Sequence, residues 1–159
     1  MHEIAKLDLL HISGYWLLGG VELNGLTDQR SVCITVDLGN VSRVQACGGE
    51  FVRQTLMQLR PATVFANRAE SDAAELLTHP HVAELYVITN GDAPTLLSTP
   101  TGSVLVPVPQ LEHVVDTTGA GDAFAAGFLA SSARGADAVQ AVHIGHAAAR
   151  EVIQRPGAS

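Results

Sequence analysis

Asp122 stands where a carboxylate can do chemistry, directly after the run Gly119-Ala120-Gly121 and at the start of an apolar helical pattern. The stretch Val114-Val115-Asp116-Thr117-Thr118-Gly119-Ala120-Gly121-Asp122-Ala123-Phe124 reads as an apolar strand end, a small-residue loop and a helix start. Glycines in such a loop let the backbone turn tightly and aim N–H groups outward, and the first helical turn adds unpaired donors and the positive end of its dipole. An anion is expected there, with Gly121 needing a positive φ or a close backbone approach. A carboxylate beside bound phosphate is repelled unless it takes a proton from an attacking hydroxyl. Asp122 is therefore either a general base or, more plainly, a helix cap, which Asp performs well.

Other phosphate-handling designs do not fit. A nucleotide-binding loop of the G-x-x-x-x-G-K-[ST] type needs a lysine, and the only lysine is Lys6, far from any glycine loop. A dinucleotide fingerprint wants a third small residue where Phe124 stands. Protein-kinase signatures such as H-R-D and D-F-G are absent. What remains is a lysine-independent phosphate site made from backbone amides.

The wording D-T-T-G-A-G-D-A-F-A-A-G-F, residues 116–128, strongly resembles the C-terminal signature of the ribokinase-like (PfkB) carbohydrate and nucleoside kinases. The resemblance implies that Asp122 is the catalytic base and that the amides of Gly119, Ala120 and Gly121 form an anion hole for the transferred phosphoryl group. It implies ATP and Mg2+ as cofactors, with K+ as a further candidate. Asn67-Arg68-Ala69-Glu70 resembles the family's N-x-x-E motif, whose polar side chains arrange water, magnesium and phosphates; otherwise Asn67 ends a strand and Glu70 begins a helix. Thr89-Asn90-Gly91 resembles a T-x-G turn that contacts nucleotide phosphates, with Pro94 where a second glycine is common. Asp116 and Thr118 match positions that hold a monovalent cation, with Arg155 and Gly157 as candidates to complete the shell; an Asx turn at Asp116 is the alternative. His146 matches a position near the adenine base, and packing or solvation is its other reading.

These residues need a scaffold, and the chain reads as alternating strands and helices. Strands are expected at residues 7–13, 31–38, 63–66 and 85–89. Helices are expected at 49–59, ended by Pro61, and at 70–78, which opens on acidic residues. Residues 95–98 and 103–108 form a hairpin about Thr101-Gly102. Helices 120–133 and 136–154 follow, separated at Gly135 and stopped by Pro156-Gly157. The order β-β-α-β-α-β-β-β-α-α implies one α/β domain over residues 1–159 with a largely parallel sheet, and the resemblance makes it a ribokinase-like three-layer α/β/α arrangement.

At 159 residues and 47% hydrophobic, the chain can bury a core of ordinary size. A net charge of −7 without a Lys/Arg cluster argues against nucleic-acid or anionic-membrane partners. With no run of 18 apolar residues and no signal-peptide pattern, the cytoplasm is the default compartment. Cys33 and Cys47 lack C-x-x-C spacing and are expected as reduced thiols. His79-x-His81 and His143-x-x-His146 lack the further ligands that zinc requires.

The main departure from the family lies at the front. Members are roughly twice this long, and their first half carries a G-G-x-x-x-N motif, the first sheet strands and a β-lid over the acceptor. Neither Gly19-Gly20 nor Gly48-Gly49 leads into an Asn-bearing helix of that kind. The expectation is a C-terminal nucleotide-binding and catalytic half that acts on a small-molecule sugar or nucleoside. It either self-associates or needs a missing N-terminal half. The segments V-F-A-N-R-A-E and A-A-A-R-E-V-I-Q-R lean towards adenosine-kinase-like members, and a non-catalytic nucleotide-binding module paired with another chain is the alternative from a different class.

Overall fold

The computed structural model describes residues 8–19, 32–110 and 115–154. Six strands lie in chain order in one sheet: β1 (Leu9–Ser13), β2 (Cys33–Asp37), β3 (Thr63–Asn67), β4 (Leu85–Asn90), β5 (Ala93–Thr99) and β6 (Gly102–Val106). β1 to β4 pair in parallel, with Leu10 opposite Ile34, Val36 opposite Val64 and Val64 opposite Tyr86. The two-residue connections after β4 and β5 are too short for a parallel crossover and give an antiparallel edge. The expected mixed α/β architecture with a largely parallel sheet is therefore present.

The helices are α1 (Gly14–Leu17), α2 (Val41–Cys47), α3 (Gly49–Leu59), α4 (Arg68–Ala73), α5 (Ala120–Ser132) and α6 (Ala138–Ile153), with a 3-10 turn at Leu76–Thr78. Four differ from the sequence reading. The short α1 and α2 carry too few residues to show a periodicity, and their side-chain caps from Ser13 and Asn40 define them instead. The single helix expected over 70–78 is α4 followed by the 3-10 turn, because Asn67 caps the chain two residues earlier and Glu75 turns left-handed at φ 52°. α6 starts at Ala138 because Asp137 and Gln140 form a reciprocal capping box. Pro156-Gly157, the expected stop for α6, and the front ends of the first two expected strands lie outside the described residues.

The chain divides into two compact units, residues 1–89 with 98–103, and residues 90–97 with 104–159. The first buries Val36, Leu38, Val44, Val52, Leu56, Val64, Tyr86 and Val87. Tyr86 satisfies its buried hydroxyl by donating to the His79 carbonyl at 2.9 Å and accepting from the Val82 and Ala83 amides at 3.2 Å. The second buries Val106, Phe124, Phe128, Ala141 and Val142. Glycines let α5 and α6 approach closely: a Cβ on Gly145 would lie 2.8 Å from the Phe124 ring, and one on Gly127 would lie 3.0 Å from the Ala148 Cβ. No described helix is long and apolar enough to cross a membrane.

Candidate active site

In the second unit the loop ahead of α5 is built by short-range bonds. Asp116 Oδ1 accepts from the Thr118 amide at 2.8 Å, so the Asx turn is present. That bond, first among the causes, holds the Asp116 carboxyl below its ordinary value and keeps it ionised at neutral pH. The Val115 and Asp116 amides both donate to the Ile153 carbonyl, at 3.0 and 3.3 Å, tying the loop to the end of α6. Ile153 had no signal in the sequence as a loop anchor, because a backbone carbonyl serves regardless of residue type.

Gly119, not Gly121, has the left-handed backbone, at φ 79°. It is the N-cap of α5 and makes no side-chain cap bond, so the positive φ falls where the chain enters the helix. Gly121 lies in the first turn, and a Cβ there would meet nothing within 4 Å. The Ala120 amide donates to the Thr117 carbonyl at 3.2 Å, and the Ala123 amide closes the first turn on the Gly119 carbonyl at 2.9 Å. Between them, the amides of Gly121 and Asp122 have no acceptor among the described residues, the condition in which a helix start receives an anion.

Asp122 is exposed in that first turn, and its carboxylate has no hydrogen bond or ion pair among the described residues. It therefore does not act as a hydrogen-bonding cap. A carboxylate at the positive end of a helix is still favoured by the dipole, which lets it stay beside donors that suit an anion.

His146, on α6, is buried against Phe124 with ring centroids 5.3 Å apart. Its Nε2 lies 2.9 Å from Thr95 Oγ1 on β5, and its Nδ1 has no hydrogen-bond partner among the described residues. Burial first, and the nearby His143 second, push its pKa down. The ring is thus packed and neutral near neutral pH. Gly91 turns the β4–β5 connection at φ 60°, and Pro94 sits exposed near the start of β5.

In the first unit, Asn67 and Glu70 meet at the carboxyl end of β3. The Asn67 side chain accepts from the Glu70 amide at 2.9 Å, while the Glu70 carboxylate accepts from the Asn67 amide at 2.9 Å and from Asn67 Nδ2 at 2.8 Å. This is a complete capping box around a buried carboxylate. Burial raises the Glu70 carboxyl above its ordinary value, and the two bonds from Asn67 oppose that rise. Thr89 joins the pair, because Asn67 and Thr89 are register partners on β3 and β4.

The structure thus gathers Asn67, Glu70 and Thr89 in one unit, and Asp116, Thr118, Gly119, Ala120, Gly121 and Asp122 on one loop in the other. Arg155 and Gly157 lie outside the described residues. Among the described residues no three or more His, Cys, Asp or Glu side chains cluster as a metal site.

A family model described as pfkB family carbohydrate kinase matches residues 2–159. The chain is 41% identical over 87 residues to a cytidine kinase of Thermococcus kodakarensis, a match spanning 54% of this chain and 31% of that protein. It is 42% identical over 76 residues to the 2-dehydro-3-deoxygluconokinase of Escherichia coli K12, spanning 45% and 25% of the two proteins. Among solved structures, the apo adenosine kinase of Trypanosoma brucei brucei superposes with a TM-score of 0.80 at 27% identity, over 96% of this chain and 53% of that one. The chain therefore spans about half the length of that solved relative.

Proposed function

Because this chain belongs to the pfkB family of carbohydrate kinases, we propose that it forms the nucleotide-binding and catalytic part of an ATP-dependent kinase whose acceptor is a hydroxymethyl group on a sugar or nucleoside. The observation that carries this reading is the start of α5. There Gly119 at φ 79° turns the chain, and among the described residues the Gly121 and Asp122 amides are unpartnered and the carboxylate in the same turn is unpaired. Asp122 takes the proton from the acceptor hydroxyl as the hydroxyl oxygen attacks the γ-phosphorus of ATP and the bond from that phosphorus to the ADP oxygen breaks, ADP departing. The amides of Gly119 and Gly121, joined by that of Asp122, face the phosphoryl oxygens and stabilise their charge, whereas the Ala120 amide, expected to join them, is already bonded to the Thr117 carbonyl. Such catalysis is positioning and electrostatics, so a fixed backbone suffices for much of it.

Magnesium, when bound with the nucleotide, would neutralise phosphate charge. The donor set fits a metal held mainly by water and phosphates, because both Glu70 oxygens already accept from Asn67 and no three-carboxylate cluster is present among the described residues. Glu70 would then orient metal-bound water while Asn67 fixes Glu70, and Thr89 and Gly91 would be contacts for nucleotide phosphates. Asp116 and Thr118, with Arg155 and Gly157 as further candidates, would hold a monovalent cation, for which the ionised Asp116 would supply the charge. His146 borders the adenine pocket through its packed ring.

A nucleoside acceptor is the second reading, favoured by relatives named cytidine kinase and adenosine kinase. The test is an ATP-consumption assay over a panel of sugars and nucleosides, with the chain alone and with an added N-terminal half, in wild type and Asp122→Asn. Turnover of one acceptor that collapses in the variant is the expected outcome. Nucleotide binding without turnover of any acceptor would make the chain a binding module instead.

A further inference from the structure

α4 carries Glu70 yet has only six residues, too few to persist by itself. Its N-terminal end is held by the Asn67–Glu70 box, so something must hold the other end. That end is Ala74, fully buried, whose amide donates to the Glu70 carbonyl at 3.0 Å. Ala74's own carbonyl accepts from Arg53 Nη1 on α3 at 2.9 Å, and the same nitrogen bonds Glu75 Oε2 at 2.9 Å. Arg53 is mostly buried, with 13% of its side chain exposed against 59% for Glu75. Glu75 adopts its left-handed backbone at φ 52° without being glycine, a conformation that needs outside support.

The Gly48-Gly49 pair explains how α3 comes so near. Gly48 turns at φ 84°, and a Cβ on Gly49 would lie 2.7 Å from the Ala73 carbonyl oxygen, 3.1 Å from Arg53 Nη1 and 3.3 Å from Ala74 Cα. Only glycine admits the start of α3 against the end of α4 at this distance. The pair was visible in the sequence, but its partner lies more than twenty residues away, and nothing local announced Arg53.

We propose that Arg53, seated by Gly49 and braced by Glu75, is a positioning residue for Glu70: by fixing the Ala74 carbonyl it holds α4 in the register that presents the Glu70 carboxylate at the end of β3. This rests on the proposed role of Glu70 towards nucleotide-bound metal. A guanidinium suits the task because the two N–H groups of one planar nitrogen, Nη1, point in fixed directions to a carbonyl and a carboxylate, whereas an ammonium on a flexible stem fixes neither direction.

The experiment uses the 159-residue chain labelled with carboxyl-13C glutamate, with the Glu70 signal assigned through Glu70→Gln. Glu70 titration and affinity for Mn2+ with ADP are measured in wild type, Arg53→Ala, Arg53→Lys and Glu75→Ala. In Arg53→Ala the released helix end lets water reach Glu70, so its titration midpoint falls towards the ordinary carboxyl value. Mn2+–ADP affinity weakens about 10-fold, the lower scale for losing an outer partner of a metal site. Arg53→Lys moves both readouts in the same direction by less, and it serves as the deciding variant if Arg53→Ala does not fold. Glu75→Ala, which leaves the bond to Ala74, changes them least. An unchanged Glu70 midpoint in the arginine variants overturns the inference, as does unchanged Mn2+–ADP affinity where Glu70→Gln weakens it. If Glu70→Gln binds Mn2+–ADP as wild type does, the metal role of Glu70 fails, and a positioning role towards metal falls with it, while an Arg53-dependent midpoint would still show the clamp itself.

Discussion

Alanine at Gly145 should unsettle the packing behind the Asp122 loop, and the size of the effect follows from two opposed terms. Gly145 lies within α6, where replacing glycine by alanine ordinarily stabilises a helix by about 1 kcal/mol. Against this, the new Cβ would lie 2.8 and 2.9 Å from Phe124 ring carbons and 2.9 Å from the Phe124 carbonyl oxygen. The ring has little room to swing, because Phe124 is buried and packs on Phe128 and His146. The carbonyl belongs to the α5 backbone and moves only if α5 moves. Overpacking of this kind reaches about 3 kcal/mol, so the net loss should be about 2 kcal/mol. With a urea slope of roughly 2 kcal/mol per molar, the midpoint should fall by about 1 M at unchanged slope. Gly121→Ala is the matched control, since its Cβ meets nothing within 4 Å, and it should be neutral or slightly stabilising. Equilibrium urea unfolding by circular dichroism measures both. A Gly145→Ala chain as stable as wild type, or more so, would show that helix propensity outweighs the contact and that α5 and α6 do not rely on that approach.

Further outcomes are expected elsewhere. Asp122→Asn, in an enzyme supplied with an acceptor-closing N-terminal half, should keep ATP affinity within a few-fold and lower turnover by about 10²–10⁴, as loss of a general base does; near-normal turnover would leave Asp122 only a dipole partner of α5. His146 has a folded pKa below its unfolded one, so the unfolded chain takes up the proton first as pH falls. Its contribution is full above about pH 6.5 and is lost below, and urea midpoints at pH 7.5 and 5.5 should differ by less in His146→Gln than in wild type. In the first unit, Leu9, Tyr15 and Trp16 expose apolar surface on and beside β1, which ends the strand order among the described residues. The chain alone should therefore self-associate in light scattering, and a clean monomer would refute this.

Local chemistry made much of this protein legible before any coordinates. The turn at Gly119–Gly121, the start of α5 at Ala120 and the helix 49–59 ended before Pro61 depend on residues a few positions apart, and each appears where the sequence put it. The parallel strands were readable too, because buried β-branched runs leave few alternatives. The pattern D-T-T-G-A-G-D pointed to the family by itself, and the N-x-x-E spacing marked Asn67 and Glu70 as residues of interest, though not the capping box that joins them. Which glycine turns left-handed was not legible, because it depends on where the helix takes its first bond, and the Ala123 amide chose the Gly119 carbonyl. Nor did the sequence reveal that Ile153 anchors the Asp116 loop, that Thr95 faces His146, or that Arg53 holds the end of α4. Those contacts join residues twenty to fifty positions apart, and their partners are often backbone carbonyls, which carry no residue identity. Only packing, which brings a particular carbonyl within 3 Å of a particular donor, decides them.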